Sequence, residues 1–106
     1  MSLLERALKR VDENFGAQVD CLRRLVALPS VRGGEAPVQR ELALELGAAG
    51  LASETYEVTP DSLADLPGFS TPEWDYSGRP NLAADWLGTG GGRSLILQGH
   101  VDVVPA

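Results

Sequence analysis

The sequence is poor in several residue types that other small proteins rely on. Its single cysteine, Cys21, rules out an internal disulfide and suits a reducing compartment, which we read as the cytoplasm. Its single histidine, His100, rules out any Cys/His cluster with zinc-finger spacing. The longest aliphatic run, Leu25-Val26-Ala27-Leu28, falls far short of the roughly 20 residues that span a bilayer. Glu5 and Arg6 fall where the apolar segment of a secretory signal would begin, so no signal peptide is expected. Basic residues are scarce beyond position 40. Residues 1–40 carry seven basic and five acidic side chains, a balance of +2, whereas residues 41–106 carry two and ten, a balance of −8. A nucleic-acid binder needs a basic stripe to neutralise phosphates, and none is present.

What is present is a globular composition. Hydrophobic residues make up 43% and charged residues 23% of a 106-residue chain with net charge −6, which is one domain or part of one. The acidic half fits either a soluble surface or carboxylates gathered around a metal, and composition leaves both readings open.

Apolar side chains at Leu4, Leu8, Val11, Phe15, Leu22 and Leu25 alternate four and three apart, the stripe of an amphipathic helix. Gln18 interrupts it and Gly16 weakens its middle by about 1 kcal/mol relative to alanine, so one imperfect helix or two are expected. The heptad series is too short and broken for a coiled coil, which makes burial against a core the expectation. Pro29 stops the helix. A second helix is predicted from near Glu35, with Pro37 in its first turn, Val38, Leu42 and Leu46 on one face, and Gly50 as cap. Residues 51–58 alternate as a strand does. Residues 59–80 hold four of the seven prolines and read as a long loop with a short helical turn at 61–66. Phe69, Trp74 and Tyr76 argue that this loop packs down.

Residues 81–87 and 94–104 both look strand-like and are separated by Gly88-Thr89-Gly90-Gly91-Gly92-Arg93, which predicts a terminal hairpin. A phosphate loop is excluded, because the glycines are followed by Ser94-Leu95-Ile96-Leu97 rather than by Lys, Ser/Thr and a helix. The predicted fold is therefore α/β, two helices followed by strands ending in a hairpin.

Chemistry concentrates in Gly99-His100-Val101-Asp102-Val103-Val104-Pro105. In an extended chain, residues two apart project to one face. Asp102 can thus accept the N–H of His100, fix its tautomer and raise the basicity of the other nitrogen, as happens around metal-bound histidines. A lone histidine in an apolar run is equally what a packed, hydrogen-bonded core residue looks like, and the residues alone leave both readings open. Cys21 reads as a structural thiol on the first helix, and Glu41 and Glu45 as a solvated helix face. No G-x-S-x-G elbow exists for a serine nucleophile.

The stretch from Gly99 to Pro105 resembles the first metal-site signature of the M20 family of zinc peptidases and deacylases. Asp75 to Leu82, the glycines from 88 to 92 and Arg93 to Leu97 are similar to its acetylornithine deacetylase/succinyl-diaminopimelate desuccinylase branch. Leu25 to Val31 resembles the helix end that opens the family's catalytic domain. The resemblance implies that residues 1–106 are the N-terminal portion of a zinc-peptidase-like catalytic domain. It implies that His100 is a ligand in a two-zinc centre (cobalt being an alternative metal) and that Asp102 orients its imidazole. Amide hydrolysis of small N-acyl amino acids by a metal-activated water is the implied activity, in an enzyme that forms a homodimer. The remaining ligands and the general base of that family follow this signature and have no counterpart among these residues. This chain by itself is expected to be inactive. A dipeptidase or carboxypeptidase of the same family is the alternative within it, and a non-catalytic interaction module the alternative outside it.

Overall fold

A computed structural model describes all 106 residues. Helix α1 spans Leu3–Val26, α2 spans Ala36–Ala48, strand β1 spans Ser53–Tyr56 and strand β2 spans Asn81–Ala84, with one 3-10 turn at Pro60–Leu63. The architecture is a mixed α/β arrangement of two helices and one two-stranded antiparallel sheet.

α1 is a single helix despite Gly16. Its start is fixed by a reciprocal cap: Ser2 N–H donates to Glu5 Oε2 at 2.7 Å, and Glu5 N–H donates to Ser2 Oγ at 3.2 Å. The bond from the Ser2 backbone, followed by the contact of the Ser2 hydroxyl with the carboxyl, holds Glu5 below its ordinary pKa. Lys9 and Glu13 pair one turn apart at 3.2 Å, and Arg23 and Arg24 complement the helix C-terminus. The helix ends three residues before Pro29.

α2 begins one residue after Glu35 with Pro37 in its first turn. The Glu35 carboxylate does not cap it but turns back to accept Gly33 N–H, with both oxygens at 2.9 Å. The helix closes as expected at Gly50, whose φ of +83° suits glycine. Leu51 N–H donates to the Leu46 carbonyl at 2.9 Å and Gly50 N–H to the Gly47 carbonyl at 3.0 Å, the paired bonds of a Schellman motif. This reversal leads the chain directly into β1.

Glu41 and Glu45 do not form a solvated face. Both approach Arg24 of α1, Glu41 Oε1 at 3.6 Å from Nε and Glu45 Oε1 at 3.0 Å from Nε with a further contact to Nη2. The hydrogen bond to Glu45 raises the pKa of Arg24. The sequence hid this pairing because the partners lie on different helices.

The expected terminal hairpin does not form. β2 pairs backwards with β1, in the register Ser53↔Ala84, Glu54↔Ala83, Thr55↔Leu82 and Tyr56↔Asn81, while residues 85–102 form no regular element. Two causes act together. The turn after α2 brings β1 alongside β2, and the six residues from Gly88 to Arg93 lack the two-residue geometry that fixes hairpin register. Leu95, Ile96 and Leu97 are left more than four-fifths exposed.

The expected burial of the α1 stripe does not occur either. Leu4, Leu8, Val11, Phe15 and Leu22 are each more than half exposed, and Val38 of α2 is the one buried apolar residue. The radius of gyration is 17.2 Å, against about 13 Å for a compact domain of 100 residues. α1 reaches the other elements only through α2, whereas α2 touches both strands. No helix is long and apolar enough to cross a membrane.

Candidate metal centre

The turn that follows α1 positions the histidine segment. Ser30 is buried, and its Oγ donates to the Val101 carbonyl at 2.7 Å. Val103 N–H donates in return to the Ser30 carbonyl at 3.0 Å, and Val31 and Val103 form a parallel bridge. Two hydrogen bonds thus latch residues 101–103 onto residues 30–31 across some 70 positions of sequence. Nothing in the spacing announces Ser30, because its partner is remote and both of its bonds involve backbone groups.

The latched segment is extended, so His100 and Asp102 project together as residues two apart should. His100 Nδ1 lies 2.9 Å from Asp102 Oδ1. The Asp102 carboxylate therefore lies beside Nδ1 rather than Nε2. The side chains are 81% and 46% exposed. A histidine so exposed is not a packed core residue, and Asp102 pays no burial penalty that would by itself demand a partner.

Beside the pair, a groove of about 330 Å³ is lined by Val31, Arg32, Asp102, Val103, Val104 and Pro105. The loop of residues 57–80 borders this region. The Arg32 guanidinium stacks over the Trp74 ring, 4.6 Å from its centroid. Asp75 Oδ1 accepts from Ser77 N–H at 2.9 Å and from the Ser77 hydroxyl at 2.8 Å, and the backbone bond, followed by the hydroxyl bond, lowers its pKa. Gly78 N–H donates to Glu57 at 3.1 Å. Gly33, at φ +93°, sits so close to Arg79 that a Cβ there would lie 3.0 Å from Nη2. Of the aromatic residues expected to pack in this loop, Phe69 and Tyr76 are half-buried, whereas Trp74 stays exposed and meets only Arg32.

A metal ion fits this site in part. His100 would offer one nitrogen, with a carboxylate beside its other nitrogen, an arrangement that commonly supports histidine ligands. No three His, Cys, Asp or Glu side chains converge anywhere in the fold, so the chain alone does not complete a zinc coordination shell. Cys21 is half-buried on α1, apart from this segment. No family model matches the chain, and no curated protein is significantly similar to it.

Proposed function

We propose that the chain supplies the first ligand segment of a metal-dependent amidohydrolase of the M20 type, acting on small N-acyl amino acids such as acetylornithine or succinyl-diaminopimelate. The observation that carries this reading is the His100–Asp102 pair, 2.9 Å apart on a segment latched to the end of α1. Its support in sequence is the run from Gly99 to Pro105, with the matching runs at 25–31 and 75–82. Zinc or cobalt, when bound in such a centre, polarises the scissile carbonyl and lowers the pKa of a water. In this proposal Asp102 holds the imidazole in one tautomer, and His100 offers Nε2 to the first of two ions. The setting is the cytoplasm, and the working enzyme is a homodimer.

A metal titration of the purified chain tests this reading. Zinc should bind at one site that His100→Ala abolishes and that Asp102→Ala weakens by about 10- to 100-fold. Zinc binding that ignores both substitutions would refute it. The chain should show no amidase turnover with zinc or cobalt, since one histidine and one orienting carboxylate do not build a two-metal site. Turnover that co-purified with the chain would contradict that account. A second reading, an interaction module, is favoured by the exposed stripe of α1. It predicts concentration-dependent association in sedimentation experiments and no zinc site at His100.

A further inference from the structure

We propose that the exposed apolar face of α1 docks a second copy of this chain, as an antiparallel helix pair about a two-fold axis near Glu13. The surface area calls for a partner. The chain exposes 9085 Å², whereas a compact monomer of its size exposes about 5,700 Å². That excess, about 3,400 Å², is far above the roughly 800 Å² that each partner gives to a standard interface. α1 is the preformed part of it. Leu4, Leu8, Val11, Phe15 and Leu22 lie along one side of a capped helix, each more than half exposed. A different side of α1 is already taken, because Arg24 binds Glu41 and Glu45 of α2. Leu95 to Leu97 are exposed too, but they belong to no regular element and present no fixed surface.

The spacing along this face explains why the partner is the chain itself. Its steps of four and three residues, from Leu4 through Gln18 to Leu22, read the same in both directions. With one helix reversed, Leu4 meets Leu22 of the second copy, Leu8 meets Gln18 and Val11 meets Phe15, and the two-fold symmetry repeats each contact. The same alignment brings Glu5 of one copy near Arg23 of the other and opposes the two helix dipoles. A parallel pair would stack Gln18 on Gln18 and align the dipoles. Asp12 alone is set against its own copy, close to the axis. With so short a seam and one like-charge contact, the dimer is weak, with a Kd of about 10–100 µM.

Sedimentation velocity of the full chain in EDTA, from about 1 µM to 1 mM, tests the pairing. A monomer–dimer equilibrium is expected. Phe15→Glu should weaken it about thirtyfold or more by placing a charge in the seam, and Ile96→Ser should leave it unchanged. A monomer throughout, or association that survives Phe15→Glu or is lost in Ile96→Ser, would overturn the assignment. Phe15 is exposed in the monomer, so an unchanged helical circular dichroism spectrum at low concentration shows that the variant is folded. Cross-linking tests the direction. In a Cys21→Ser background, Asn14→Cys lies beside its own copy and should give an oxidised dimer. Leu4→Cys should give none, because its two copies lie about 27 Å apart. The opposite pattern would refute the antiparallel pair. The inference gives a surface to the homodimer of the proposed function and needs no metal. Because EDTA removes metal, dimerisation and zinc binding at His100 fail separately.

Discussion

Two apolar stretches separated by three residues near the end of this chain have opposite fates. Leu95-Ile96-Leu97 is the more hydrophobic, yet it is almost wholly exposed and unpaired. Val101-Asp102-Val103 contains a charge, yet it is fixed by two hydrogen bonds to Ser30 and a bridge from Val31. Apolar character alone does not order a strand. An extended segment needs a neighbouring backbone that is already in place, and the turn after α1 offers one to residues 101–103 and none to residues 95–97.

Amide hydrogen exchange measures this contrast, and it should give the largest effect. The Val103 amide should exchange about thirtyfold more slowly than those of Leu95 to Leu97, as expected for a segment held by two bonds of roughly 1 kcal/mol each. Equal rates would break the comparison. Ser30→Ala removes the buried hydroxyl bond and leaves the Val101 carbonyl unpaired, and should reduce the Val103 protection by about tenfold while leaving residues 95–97 as they were.

The same kind of tie, a side chain bonded to backbone, holds the start of α1, and there it titrates. The folded-state pKa of Glu5 lies below its ordinary value. The capping contribution is therefore complete above the ordinary glutamate pKa and disappears as pH falls through the lowered one. Helicity of the first turn should drop over that acidic window and should not do so in Glu5→Gln. A pH response of equal size in the variant would show that the cap is not responsible. The smallest effect is expected at Ile96→Ser, within about 0.5 kcal/mol in denaturant unfolding, because the side chain is already in water. A larger loss would mean that residues 95–97 are packed in solution.

The local parts of the fold could be read from sequence because their causes are local. Pro29 ends α1, Pro37 and Gly50 bound α2, and the alternation within residues 51–58 locates β1, each through nearest neighbours. The pairing of β1 with β2 was not legible. Asn81–Ala84 looks equally ready to pair forward, and only the reversal at Gly50 determines its partner. The fate of the α1 stripe was hidden for a related reason, since periodicity shows that a face is apolar and not what covers it. At the candidate site the His100–Asp102 proximity follows from a spacing of two. Ser30 and Arg32 did not stand out, because their partners lie at least 40 positions away.

The central claim is that Asp102 fixes the tautomer of a metal-binding His100, and the chain is well suited to a direct test because it has a single histidine. Nitrogen-15 NMR of the imidazole, with and without zinc, reports each ring nitrogen without ambiguity. The account predicts that Nδ1 carries the proton in the metal-free chain, that zinc shifts Nε2 alone, and that Asp102→Ala mixes the tautomers. A proton on Nε2, or a zinc-induced shift at Nδ1, would contradict it.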